Sequence, residues 1–143
     1  MTVKVPGFKG SKGMTGFLIP AGRYLFEINS VTLEEKKNDK GSGTSWNFKL
    51  GIKDGPEENK SPAYTHRVYI MNDDHESFEQ HGHIGVDELK SMAMAAGVID
   101  DIKGESIDPE VFVGAKLVGV VSVGKRKDTQ EEQNNVRKWE AVE

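Results

Sequence analysis

Three histidines, His75, His81 and His83, fall in a short run that also holds Glu76 and Glu79 and directly follows Asp73 and Asp74. Imidazole and carboxylate are the groups from which metal centres and acid–base pairs are built. Structural zinc, however, needs four ligands at defined spacing, and a histidine-and-carboxylate run on a polar stretch is a poor match to any such pattern. The expected reading is a solvated acidic loop, with no metal and no other cofactor. A metal-dependent nuclease using this cluster ranks last among the functions considered. Nucleophilic chemistry fares no better. The chain has no cysteine, no nucleophile motif and no phosphate-cradling glycine loop, so a binding protein is expected rather than an enzyme.

The other chemistry on offer is cationic and aromatic. From Ser45 to Lys53 every even position (Trp46, Phe48, Leu50, Ile52) is apolar, and the odd ones are polar, basic or glycine. This is the period-two signature of a strand with one face on a core. The outward set is Asn47, Lys49 and Lys53. In the stretch Thr65 to Met71, Val68 and Ile70 alternate with Arg67, Tyr69 and Met71, so Arg67 and Tyr69 face away from the core. Cations that neutralise phosphates, beside an aromatic on which a base stacks, are what binding of a single nucleic-acid strand requires. Trp46, by its parity, and Trp139, on a short terminal strand, are expected in the core instead.

Those side chains need a scaffold. Residues 1 to 19 carry Lys4, Lys9 and Lys12 among four glycines, which predicts a mobile basic arm, with at most a short strand near Phe17 to Ile19. Residues 20 to 143 form one domain. Its first strand, Arg23 to Glu34, has Tyr24, Phe26 and Ile28 in one phase and Val31 and Leu33 in the other, which predicts a bulge that lets one strand pair on both sides of a small barrel. Residues 34 to 44 read as a flexible hairpin loop bearing Lys36, Lys37 and Lys40. The run from Asn72 to Gly85 shows no strand pattern. Val86 to Ala96 reads as a short helix with Leu89, Met92, Ala93 and Ala96 on one face and Gly97 as its stop. Asp108-Pro109 opens a helical turn, Lys116 to Gly124 is a buried valine-rich strand, and Val136 to Val142 is the last strand.

Three strands, a helix and two further strands, with a bent first strand, make the expected fold mainly β: a five-stranded OB-fold Greek-key barrel with one short helix between strands 3 and 4. The expected nucleic-acid contacts are Lys36, Lys37 and Lys40 in the first loop, Asn47, Lys49 and Lys53 on strand 2, Arg67 and Tyr69 on strand 3, and Lys125, Arg126 and Lys127 at the start of the last loop.

Charge is segregated along the 143 residues. Net charge is −4, yet residues 1 to 70 carry eleven Lys/Arg against seven Asp/Glu, residues 71 to 112 carry two against eleven, and the remainder six against five. A positive surface on an acidic protein is compatible with that distribution. The acidic segment is expected to face away from a ligand. With no charged-then-apolar leader and no apolar run near 20 residues, a cytoplasmic location away from membranes is expected.

Several stretches carry a family likeness: Pro20-Ala21-Gly22-Arg23-Tyr24, the Lys37 to Gly41 turn, Trp46-Asn47-Phe48-Lys49-Leu50, Glu88-Leu89-Lys90-Ser91, Ala96-Gly97-Val98, and Phe112-Val113-Gly114-Ala115-Lys116. Over residues 20 to 143 the chain resembles the small single-stranded-DNA-binding proteins encoded by bacteriophages. That resemblance implies an OB-fold, single-stranded DNA as partner, a replication or recombination role with the proteins of that machinery as further partners, and the host cytoplasm as location. Homo-oligomers are compatible with it. Many single-strand binders recruit partners through a long acidic C-terminal tail, which has no counterpart before Glu143, so recruitment of that kind is not expected. The rival expectation is an OB-fold adaptor whose acidic middle segment docks a basic protein; a continuous basic groove favours DNA and a broken one favours the adaptor.

Overall fold

The computed structural model describes residues 1–6, 8, 19–55, 58, 64–125, 130 and 132–142. Five strands, β1 (Gly22–Asn38), β2 (Gly41–Ile52), β3 (Tyr64–Met71), β4 (Lys116–Lys125) and β5 (Glu132–Glu140), form one antiparallel sheet in the order β3-β2-β1-β4-β5. The central strand β1 pairs with β4 from Gly22 to Glu27 and with β2 from Phe26 to Asn38.

The change of apolar phase in β1 has the expected cause. The β1–β2 register slips between Ile28 and Ser30, so Asn29 is the extra residue of a bulge. Before it, Phe26 and Ile28 are fully buried; after it, Val31 takes their side of the strand. The inward phase thus passes from even residues before position 29 to the odd Val31 after it, and from Thr32 onward the strand is exposed, Leu33 included. On β2, Trp46, Phe48, Leu50 and Ile52 all lie in the core, and Leu117 and Val121 of β4 meet them there with Met92 and Phe112. Phe48 and Phe112 pack edge to face at 5.3 Å, and Trp46 completes the cluster. Gly119 is needed for space. A Cβ there would stand 2.8 Å from the Phe26 ring and 3.1 Å from Trp139.

Three expectations need correction. Residues 34 to 44 are not a flexible loop: the ladder continues to the Asn38–Gly41 pair, closing a β-ribbon on the two-residue turn Asp39-Lys40, where Asn38 Oδ1 accepts from Lys40 N at 2.9 Å. Lys36 and Lys37 are therefore strand residues. The helix α1 is not short: it runs Phe78–Ala95, 18 residues, starting eight residues before the expected Val86. Gly82 and Gly85 hide it, since each glycine weakens an isolated helix by about 1 kcal/mol. Gly85 is a product of packing, because a Cβ there would lie 2.0 Å from the Tyr69 carbonyl oxygen of β3. Gly97, at φ +75°, ends this segment as expected.

The third correction concerns closure. No ladder joins β3 to β5 among the described residues, so the sheet is open. α1 packs on β3, β5 and β4 and covers the Tyr69 stretch of the β3 edge. Nearer the start of β3, His66 and Trp139 of β5 touch edge to face at 5.0 Å. Among the described residues, no helix is long and apolar enough to cross a membrane. Most of the basic arm, including Lys9, Lys12 and the strand expected near Phe17 and Leu18, lies outside the described residues. Ile19 itself is buried, its backbone N–H and C=O both bonded to the Asn134 side chain at 2.9 and 2.8 Å.

Candidate nucleic-acid interface

Strand parity places the outward residues of β1, β2 and β3 in cross-strand rows. Thr32, Asn47 and Arg67 form one row, Ser30, Lys49 and Thr65 the next, and Glu34, Ser45 and Tyr69 the row on the hairpin side; Lys36, Gly43 and Met71 follow. Lys49 and Arg67 are exposed, and their flanking inward residues Phe48, Leu50 and Val68 are buried. The face is therefore polar and basic on one side of strands whose other side is core. Among the described residues, no ion pair engages Lys49 or Arg67.

The remaining expected contacts divide. Lys36 extends this face but bonds Glu34 at 2.7 Å. Lys53 lies beside the first half of β1 and bonds Glu27 at 2.9 Å. Lys125 is exposed at the end of β4, beyond the Gly22 end of β1 in the ladder, whereas Lys36, Lys37 and Lys40 cluster at the opposite end of β1. Arg126 and Lys127 lie outside the described residues. Among the described residues, Asn47, Lys49, Arg67, Tyr69 and Lys36 are the set that the sheet brings together, and Lys53 and Lys125 stand apart from it.

Among Lys36, Asn47, Lys49, Arg67 and Tyr69, acid enters at one point. Glu34 follows Thr32 on the outward side of β1, diagonal to Asn47, and its carboxylate bonds Lys36. That bond and the charge of Lys36, with smaller help from the Asn47 side chain and the Arg67 guanidinium, hold Glu34 below the usual carboxylate range. Asn47 Oδ1 meanwhile accepts from Ser45 Oγ at 2.8 Å, which restrains the amide.

Tyr69 is half-buried. Its ring lies against Gly43 of β2, where a Cβ would come within 2.4 Å of the phenol, and meets His75 edge-on at 6.2 Å. His75 belongs to the acidic loop, and that loop does not face away. Asp74 Oδ1 accepts from Ser42 N at 3.1 Å and Ser42 Oγ at 2.8 Å, Asn72 Nδ2 donates to Ser42 Oγ at 2.8 Å, and Glu76 N donates to the Lys40 carbonyl at 2.7 Å. The acidic loop is clamped to the tip of the lysine-bearing hairpin. The Ser42 bonds are the main reason the Asp74 carboxyl titrates below its ordinary value, with Lys37 adding a small share. His75 Nδ1 accepts from Ser77 N at 3.1 Å, while His81 and His83 are exposed on α1. Among the described residues, no group of three histidine or carboxylate side chains is arranged to hold a metal.

The same strand carries a second polar assembly on its inner side. His66, 8% exposed, is bonded through Nδ1 to the Tyr64 hydroxyl at 3.1 Å and through Nε2 to Glu88 of α1, with Trp139 against its ring. Burial pushes the Tyr64 hydroxyl up to about 12, and the Glu88 charge adds to it. Sequence reasoning passed over both Glu34 and His66. The parity rule applied after the bulge would have placed Glu34 beside Lys36, and applied to β3 it would have put His66 inside with Val68. No protein-family model matches the chain, and no curated protein sequence matches it.

Proposed function

We propose that the protein binds single-stranded DNA on the outward face of β1, β2 and β3, without catalysis, in the manner of the phage replication and recombination proteins that the sequence resembles. The observation that carries this reading is the adjacent pair Lys49 and Arg67, free of ion pairs among the described residues and set around Asn47 on an exposed sheet face. Cations so placed reach successive phosphates, and Tyr69 at the edge of the set offers its open side to a base. An OB-type strand arrangement, left open between β3 and β5 among the described residues, is the matching fold reading. Support comes from β1, which pairs with both β2 and β4 across its bulge, and from the ring contact of His66 with Trp139 across the β3–β5 gap. A host-cytoplasmic location follows from this reading.

Titration of a fluorescein-labelled oligo-dT at two salt concentrations tests it. Binding to the single strand, falling with a slope of about 0.7 per phosphate contacted, is expected. Duplex of equal length bound as tightly, or binding that ignores salt, refutes it. One observation favours a second reading, an adaptor for a basic protein: the cationic set is interrupted by Glu34 and Glu27, and the acidic loop stands ordered beside the hairpin. In that case oligo-dT is not bound, and a basic peptide competes for the Asp73 to Glu79 surface.

A further inference from the structure

Glu34 is out of place on a phosphate-binding face. Its neighbours explain why it is tolerated: Lys36 Nζ lies 2.7 Å from Oε1, and the Asn47 side chain, held by Ser45, and the Arg67 guanidinium both favour the charged carboxylate. Arg67 sits across β2 from Thr32, one step away on the same face. Two or three donors converging on two anionic oxygens is the arrangement that receives a phosphate.

We infer that Glu34 is an internal counter-anion, holding in the free protein the place that one backbone phosphate takes in the complex, with Lys36, Asn47 and Arg67 as that phosphate's ligands. This inference rests on the single-strand-binding reading and adds to it a defined phosphate position and a built-in competitor. The exchange is balanced. A phosphate displaces the carboxylate from Lys36, and the freed Glu34 carboxylate turns to solvent and gathers its own counterion. Wild-type binding therefore releases one fewer net counterion than its phosphate contacts imply. The competitor also sets a threshold, because a single phosphodiester carries no more charge than the carboxylate it replaces and wins the site only when the same strand is held by other contacts as well.

Substitution at two adjacent glutamates isolates the effect. Glu34→Gln removes the competing charge, while Glu35→Gln makes the same change in net charge on the next residue, whose side chain leaves the opposite face of the ribbon. Both positions are exposed, and thermal melting of each variant checks that the fold is kept. With fluorescein-labelled oligo-dT, Glu34→Gln is expected to bind about fourfold tighter than wild type, the effect of removing a like charge about 5 Å from a phosphate in water-like dielectric. Its salt slope steepens by about 0.7, one phosphate's share. Glu35→Gln changes affinity by less than about 1.5-fold, because charge at a longer distance is screened. A Lys36→Ala substitution weakens binding more in the Glu34→Gln background than in wild type, since only there is Lys36 unoccupied before binding. If wild type binds oligo-dT and the two glutamine variants are alike, the inference is overturned and the reading of the face stands. If wild type does not bind oligo-dT, or binds duplex equally well, the functional reading fails and this inference falls with it.

Discussion

β3 presents two regions that differ only by the parity of its residues. Its odd side chains, Arg67 and Tyr69, join Asn47, Lys49 and Lys36 on a solvated face, where Glu34 and Lys36 form an ion pair with both partners about half exposed. Its even side chains, Tyr64, His66 and Val68, enter the interior, where the His66 imidazole is held between Tyr64 and Glu88 against Trp139. Outside, water screens each charge, so contacts are weak, replaceable and available to a ligand. Inside, every polar atom must keep its partner, and none of the buried side-chain nitrogen and oxygen atoms among the described residues lacks one. The lesson is a division of labour within one strand: inner polar groups specify how α1 sits on the sheet, and outer ones are left free to exchange partners.

Truncation of a core ring gives the largest effect. Phe48→Ala should cost about 3 to 5 kcal/mol of stability, read by urea unfolding, with binding affected only through the folded fraction; a marginal stability change accompanied by lost binding would invert the assignment of faces. Alkaline pH comes next. Because Tyr64 is raised to about 12 from the ordinary 10.0, it stays neutral in the folded protein while the unfolded chain ionises. Stability from this group is full below pH 10 and is lost as pH rises toward 12, on the order of 2 kcal/mol in all. Absorbance at alkaline pH should resolve a tyrosine step near pH 12, and Tyr64→Phe should abolish that step; its persistence would exclude Tyr64 as the source.

On the outer face the effects move from stability to binding. Tyr69→Ala should weaken oligo-dT binding by about 1 to 3 kcal/mol with the salt slope almost unchanged, because stacking releases no counterion. A modest loss of melting temperature should accompany it, since the ring also covers Gly43 and touches His75. The smallest changes belong to Lys49→Ala and Arg67→Ala, each lowering the salt slope by about 0.7 with melting temperature nearly constant. A cooperative collapse of the fold in either variant would place that residue inside, against the parity of both strands.

How much of this was legible beforehand depended on the range of the interaction. Trp46, Phe48, Leu50 and Ile52 declared β2 through their alternation, and the switch from Ile28 to Val31 declared the bulge, because both follow from strand geometry within a few residues. The turn at Asp108-Pro109 was equally local: Asp108 Oδ1 accepts from Glu110 N at 3.0 Å. The start of α1 was not legible. Gly82 and Gly85 oppose a helix locally, and only the Tyr69 carbonyl pressed against Gly85 explains why glycine stands there.

The site divides along the same line. Sequence alone determined which side chains leave the sheet, since parity sends Asn47, Lys49, Arg67 and Tyr69 outward whatever the strands pair with. Only the tertiary structure decided which of them meet. Pairing between strands put Arg67 beside Asn47, set Glu34 diagonal to Asn47, and separated Lys53 and Lys125 from the rest. The clamp of Asp74 on Ser42 brought the acidic loop to the hairpin instead of away from it. Orientation is fixed by the covalent geometry of each strand, whereas proximity is fixed by pairing and packing across the whole chain, which no local pattern of residues encodes.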